Sequence, residues 1–151
     1  MKKIGILNEA DIVESCINSD LVIDPFDKSH LQPTSYDISV SQVLENGSFC
    51  DFSSLRLEHL QFKNLLTKER MEFPLDMIGH IYLRSTFIRK GLIMSLGRIE
   101  AGWRGRLVIE VFNALEVVIL NNGERIATVE FERLARPVSK GYEGKFQDFG
   151  I

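Results

Sequence analysis

Cysteine is scarce in this chain, and neither sign of charge dominates. Only Cys16 and Cys50 occur, far apart and in no C-x-x-C pair. A disulfide framework and a cysteine-based metal cluster are therefore not expected, and two free thiols in a reducing compartment are. The formal net charge is -3, so there is no basic footprint of a nucleic-acid-binding surface. No apolar run is long enough to cross a bilayer. The opening Met1-Lys2-Lys3-Ile4-Gly5-Ile6-Leu7 is basic, then apolar, but Asn8, Glu9 and Asp11 end it too early for a signal peptide. The expectation is a cytoplasmic protein with no membrane and no nucleic-acid partner. Internal repeats and low-complexity linkers are also lacking. The 151 residues, 44% hydrophobic and 26% charged, suit a single domain over 1–151 with one core.

What is present reads mainly as short strands. A helix is expected first, within an N-terminal segment over 1–20. Asn8 is placed as its N-cap, and Glu9 and Asp11 suit the first turn. Ile12, Val13, Cys16 and Ile17 mark its apolar face, and Asn18-Ser19-Asp20 closes it. Leu21-Val22-Ile23 reads as a short strand before the breaker Asp24-Pro25. From there Tyr36, Ile38 and Val40 alternate with Asp37, Ser39 and Ser41 at strand spacing. Asn46-Gly47 is a turn signal. Phe62, Leu65 and Leu66 lie in a mixed stretch that the pattern does not assign. Met77 to Leu83 and Leu107 to Phe112 read as strands. Val117 to Leu120, the turn Asn121-Asn122-Gly123, and Ile126 to Phe131 read as a hairpin. Many short strands between Gly and Asn turns imply an all-β fold, a distorted jelly-roll or β-barrel with a short N-terminal helix. Gly141 to Ile151, over 141–151, reads as a mobile C-terminal tail.

Three clusters stand out as chemistry. Glu110 is the only polar residue of Leu107-Val108-Ile109-Glu110-Val111-Phe112. A buried charge is costly unless paired, so Glu110 either faces solvent through strand alternation or lines a pocket. The span from Arg84 through Ser85, Thr86 and Arg89 to Gly91 holds three cations and two hydroxyls, the groups a phosphate site uses. A solvated loop would look the same. Gly97-Arg98-Ile99-Glu100-Ala101-Gly102-Trp103-Arg104-Gly105 reads as a tight turn carrying the one tryptophan. That ring either stacks on a base or caps the core edge.

In order along the chain, these segments resemble the dCTP deaminase and trimeric dUTPase superfamily. Gln32-Pro33-Thr34-Ser35-Tyr36-Asp37 resembles its Q-P-x-S-x-D motif. Arg84-Ser85-Thr86 is similar to the R-S-S/T phosphate motif, and Arg98-Ile99-Glu100-Ala101-Gly102-Trp103 to the R-I-D-x-G-W/F turn. Gly123-Glu124-Arg125-Ile126-Ala127 resembles the G-x-R-I-A/G hairpin. Tyr142-Glu143-Gly144-Lys145-Phe146-Gln147 resembles the tail motif Y-x-G-K-Y-Q. Within the superfamily the deaminase branch fits better. Arg89 stands at the last arginine of R-S-S-L-A-R, and Glu110 at the glutamate of V-L-E-F-Y-N.

The resemblance implies Glu110, Arg89 and Glu100 as catalytic residues. It implies Arg84, Ser85, Thr86, Arg98, Trp103, Tyr142, Lys145 and Gln147 as substrate-binding ones. The implied reaction is deamination of dCTP to dUTP and ammonia, with hydrolysis of dUTP to dUMP as a possible addition. Zinc deaminases carry H-x-E and P-C-x-x-C motifs. Neither occurs here, so a zinc-free water activated by Glu110 is expected, with Arg89 favouring its charged form and holding the substrate. Magnesium would arrive on the triphosphate rather than in a protein cage. The resemblance also implies a homotrimer with sites between subunits. Two alternatives stand beside this reading. One is a dUTP diphosphatase using Glu100 as base; the other is a non-catalytic nucleotide-binding trimer. The departures feed the second of these, and Glu110 with Arg89 separates deamination from the first. Glu100 replaces an aspartate, the Ile93–Gly97 connection is shorter than the family's H-x-T-A-H stretch, and Thr128 and Phe149 stand where glutamines are common.

Overall fold

The structure, a computed structural model, describes residues 2–95 and 97–151. Met1 of the opening and Leu96 of the Ile93–Gly97 connection lie outside the described residues. Strand β1 (Gly5–Ile6) leads into helix α1 (Glu9–Ile17), followed by β2 (Val22–Asp24) and a single 3-10 turn at Lys28–His30. Then come β3 (Leu31–Gln32), the long β4 (Ser35–Glu45), β5 (Ser48–Asp51), β6 (Ser54–Leu57) and β7 (Phe62–Glu72). After β8 (Met77–Leu83) comes the short helix α2 (Ser85–Arg89), then β9 (Leu92–Met94), β10 (Gly97–Ile99), β11 (Arg104–Asn113), β12 (Val118–Asn121) and β13 (Arg125–Arg133). The strand pairs are antiparallel. One curled sheet runs in the order β10-β8-β13-β4-β7-β11-β9, and β12 pairs with β6 in a separate two-stranded piece. The expected all-β fold with a short N-terminal helix is the observed one.

The local expectations hold where a single side chain decides them. Asn8 caps α1 by accepting from the Asp11 N–H at 2.9 Å. Asn46 and Gly47 both take left-handed φ values, 50° and 83°, which a tight hairpin between β4 and β5 requires. The mixed stretch is settled as well: Phe62 to Glu72 form β7, in the middle of the sheet.

Two expectations are corrected. Ile17 is 76% exposed, and Ser15 takes its place on the buried face of α1. The reason is polar. Arg133 is buried beneath the helix, pairing with Asp76 at 2.8 Å and donating to the Ser15 hydroxyl at 3.2 Å. The Val117–Phe131 hairpin does not form. Strand β12 pairs with β6, whereas β13 pairs with β4 and β8. Buried Asn113 donates to the carbonyls of Leu57 and Glu116, holding the end of β6 against the start of β12. Asn122 at the turn donates to the carbonyls of Ser41 and Phe52 instead of closing a hairpin. The strand expected from Tyr36 to Ser41 is present, and its polar Asp37 and Ser39 are buried. Residues 36–40 of β4 are buried on both faces.

The core gathers Tyr36, Ile38, Val40, Leu65, Ile109, Val111, Val129 and Phe131 around β4, with Ile12 from the helix and Leu57 and Leu120 from the small piece. Burying each large apolar side chain contributes about 1.5–3 kcal/mol. Strand β4 carries the cost of this arrangement. Asp37 is met by Gln32 Nε2 at 3.1 Å, Arg84 Nε at 3.3 Å and Arg125 Nη1 at 3.5 Å. Glu69 of β7, 2% exposed, accepts from the Ser39 N–H at 2.9 Å and the Ser39 hydroxyl at 2.7 Å. His30 Nδ1 donates to the Asp37 carbonyl at 3.0 Å and stands 3.6 Å from the Glu69 carboxylate.

Burial pushes the Glu69 carboxyl above the ordinary carboxylate range, although the Ser39 hydrogen bonds and His30 pull it down. A raised folded-state pKa means that the folded protein keeps a proton the unfolded chain has released. Its stabilising effect is full below the unfolded pKa and is lost as pH rises through the folded pKa. Glu69→Gln keeps the shape, its amide oxygen accepting from the Ser39 N–H and its NH2 donating to the Ser39 hydroxyl oxygen, but cannot titrate. Urea unfolding across that window is expected to show a pH-dependent fall in wild-type stability that the variant lacks. Parallel pH profiles for the two proteins would contradict this account.

Candidate active site

A cavity of about 450 Å³ opens between the β8–β10 edge and the β7–β11 face. Residues 98–103, the end of β10 and the turn that leads into β11, form one wall and contribute Arg98, Glu100 and Trp103. Val108 and Glu110 of β11 form another. Asn64 lies on β7, while Leu44 and Phe49 come from the β4–β5 hairpin. Tyr142, Phe146 and Phe149 of the C-terminal segment close over it. Alternation in β11 explains the position of Glu110: Ile109, Val111 and Asn113 are buried in the core, so 108 and 110 face the other way. Glu110 thus meets both sequence alternatives, facing away from the core and lining a pocket.

Arg98 and Glu100 face each other across the turn, with Arg98 Nε and Nη2 donating to the two Glu100 oxygens at 3.2 and 3.3 Å. Arg106 is fastened by donating to the Thr67 carbonyl at 2.6 Å and the Ser41 hydroxyl at 3.0 Å. Desolvation lowers its pKa, opposed by the nearby carboxylates of Asp51 and Glu69.

The C-terminal segment is docked by its backbone. Trp103 Nε1 donates to the Phe146 carbonyl at 2.9 Å, and the Tyr142 N–H donates to the Ala101 carbonyl at 2.9 Å. Gln147 accepts from the Arg104 N–H and donates to the carbonyls of Gly102 and Tyr142. Its amide staples the segment and does not line the cavity. Arg104 pairs with Asp148 through both carboxylate oxygens. Phe149 meets Phe49 and Phe146 edge-on, with ring centroids 6.1 and 5.7 Å away. Lys145 is exposed, its Nζ 5.0 Å from the Phe146 ring centroid.

The remaining anticipated residues lie elsewhere on the chain. Arg84 is the N-cap residue of α2, and Ser85 and Thr86 are exposed in its first turn. The Arg84 guanidinium is committed through Nε to Asp37 and through Nη1 to the Arg125 carbonyl. Arg89 lines a different cleft, with Lys90, Leu115 and Glu116. Within one chain, therefore, Glu110, Glu100, Arg98, Trp103 and Tyr142 share the cavity; Arg84, Ser85, Thr86, Arg89, Lys145 and Gln147 do not line it. Leu44, Phe49, Asn64, Arg106 and Phe149 were not anticipated as wall residues. Phe49 and Asn64 reach the cavity through strand pairings that no local pattern announces.

The family model for dCTP deaminase-like domains matches residues 52–134, the stretch that supplies the 98–103 turn, Asn64 and Glu110. The chain belongs to the dCTP deaminase-like family. A curated dCTP deaminase of Thermococcus sibiricus is 36% identical over 136 residues, 87% of this chain and 87% of that protein. A probable deoxyuridine 5'-triphosphate nucleotidohydrolase of Sulfolobus islandicus rod-shaped virus 1 is 32% identical over 149 residues, 94% of this chain and 92% of that one. Among solved structures, the 2'-deoxycytidine 5'-triphosphate deaminase of Agrobacterium tumefaciens superposes with a TM-score of 0.76 at 18% identity. The match covers 87% of this chain and 49% of that one, so this dCTP deaminase-like chain spans about half its length. The dUTPase of Staphylococcus bacteriophage 80alpha matches with a TM-score of 0.57 at 20% identity, over 83% of this chain and 97% of that one. Both structures share the fold of this dCTP deaminase-like domain.

Gly105 decides whether the C-terminal segment can stay docked. Its φ is 149°, and an added Cβ would stand 2.9 Å from the Phe149 carbonyl oxygen and 3.1 Å from its nitrogen. Backbone cannot yield as a flexible side chain does, and a positive φ strains any L residue. Gly105→Ala is expected to speed proteolysis at Lys140 and Lys145 severalfold while leaving the far-ultraviolet circular dichroism unchanged. An unaltered cleavage rate would mean that the Gly105–Phe149 contact does not hold the segment.

Proposed function

We propose that the protein deaminates dCTP to dUTP and ammonia. The observation that carries this reading is the Glu110 carboxylate, presented by a rigid strand into a cavity walled by Trp103, Tyr142 and Phe146. Flat aromatic walls suit a pyrimidine ring, and a carboxylate among them suits proton transfer. Glu110 takes a proton from water as its oxygen bonds to C4 and passes it to N3, then takes the remaining proton from the new C4 hydroxyl and passes it to the departing amine. The C4–N4 bond breaks, and one water is consumed for each ammonia released. The deaminase names of the Thermococcus relatives support this choice.

The triphosphate falls to Arg84, Ser85 and Thr86, with Lys145 assisting, and magnesium enters on its phosphate oxygens as part of the substrate. Arg84 Nη2 has no partner among the described residues, which leaves one guanidinium edge for a phosphate oxygen. These residues and Arg89 lie outside the Glu110 cavity of their own chain, so a complete site requires a second chain. A closed cyclic homotrimer repeats such a junction once per subunit.

A second reading, dUTP hydrolysis to dUMP with Glu100 as base, draws on the place of Glu100 in the same cavity and on the viral relative's name. Incubation with dCTP and with dUTP in the presence of magnesium separates the two. Formation of dUTP and ammonia from dCTP is expected. Pyrophosphate release from dUTP alone would favour the second reading, and no change in either nucleotide would leave a binding protein.

Glu110→Gln keeps the side-chain shape but cannot accept a proton. Turnover of dCTP is expected to fall about a hundredfold or more with nucleotide binding retained. A variant that deaminates at the wild-type rate removes Glu110 from the mechanism. Mixing dissociated Glu110→Gln chains with Arg84→Ala chains is expected to restore part of the activity, because some junctions then receive an intact residue from each. Mixtures as inactive as their parents, or light scattering of a monomer under assay conditions, would contradict the shared site.

A further inference from the structure

Asn64 on β7 is the register partner of Glu110 on β11, and both line the cavity. Directly opposed residues of an antiparallel pair hold their Cβ atoms about 4.5–5.5 Å apart on one face of the sheet. The amide of Asn64 is therefore the polar group that strand geometry places beside the Glu110 carboxylate. Its Oδ1 is sealed from solvent and, among the described residues, is the one buried side-chain oxygen or nitrogen without a hydrogen-bond partner. Buried acceptors are normally satisfied, and an orphan at a cavity wall marks a place where a donor is expected. No described residue donates to it; the lining of the cavity includes the apolar side chains of Leu44, Leu107 and Val108, and a carboxylate only accepts.

We propose that Asn64 is a specificity-determining residue, its Oδ1 accepting a hydrogen bond from the exocyclic amino group on C4 of the pyrimidine. This rests on the deamination reading and adds to it the means of telling substrate from product. An aminopyrimidine presents two N–H donors at C4, one for Asn64 while Glu110 attends to the water and N3. A ketopyrimidine presents an acceptor there, and acceptor meets acceptor. A site built to bond one polar substituent rejects the analogue that lacks it, because its own buried group is then left unpaired. The same contact is lost when the amine departs, which weakens the hold on the product.

The test compares wild type with Asn64→Leu, similar in shape but without an acceptor, and with Asn64→Asp, which keeps an acceptor and has no N–H. Two quantities are read: kcat/KM for dCTP deamination and the inhibition constant of dUTP, alongside thermal unfolding. Asn64→Leu is expected to lower kcat/KM for dCTP about tenfold or more, the size of one lost hydrogen bond to a buried partner. Its dUTP inhibition constant is expected to improve rather than worsen, because no unpaired acceptor then faces the C4 oxygen. Asn64→Asp is expected to keep the preference for dCTP over dUTP even if its turnover is slower. Equal losses for both nucleotides in either variant, or an unchanged preference in Asn64→Leu, would overturn the assignment while leaving wild-type deamination standing. A wild-type chain that leaves dCTP unaltered would overturn the activity, and this assignment with it.

Discussion

Two carboxylates buried against one strand set the terms for the rest of the fold. Asp37 on β4 and Glu69 on β7 are almost wholly removed from water. A buried charge survives only where paired and hydrogen-bonded. Glu69 finds its partner in Ser39, one strand away. Asp37 draws on Gln32, on Arg84 at the start of α2, and on Arg125 at the start of β13. One side chain thereby ties together the segments that carry the resemblance motifs around residues 32, 84 and 125. Burial has a similar effect on the neighbouring Tyr36, whose hydroxyl accepts from the Asp27 N–H and whose pKa is pushed up to about 12.

Arg84 is thereby held at two points: its guanidinium neutralises Asp37 and donates to the Arg125 carbonyl, and its Nη2 has no partner among the described residues. An arginine suits this because its fork has donors on several edges, whereas a lysine concentrates its charge at one point.

Much of the fold was legible because it rests on local rules. The α1 cap at Asn8, the Asn46-Gly47 turn and the Met77–Leu83 strand each follow from a few adjacent residues. The errors arose where a distant partner decided the matter. Nothing near Val118 shows that β12 pairs with Leu55–Leu57 instead of β13, because alternation fits either neighbour. Alternation marked Tyr36 to Ser41 as a strand, but the burial of Asp37 and Ser39 depends on the arginines and Glu69 from other strands. The site follows the same pattern. Glu110 stood out against its apolar neighbours, and Trp103 sat on an evident turn. Asn64 had no signal in a mixed stretch, since its importance comes from standing opposite a residue 46 positions away in the chain. Arg89 was expected beside Glu110, and within one chain the two line separate hollows.

The one tryptophan of the chain has its indole N–H on the carbonyl of Phe146, with its ring at the cavity wall. Indole emission depends on the polarity around the ring and on the partner of that N–H. The molecule thus carries its single indole at the junction of its pocket and its C-terminal segment. Undocking of the segment would exchange that peptide carbonyl for water, so emission of the unlabelled protein reports directly on whether the C-terminal segment is in place.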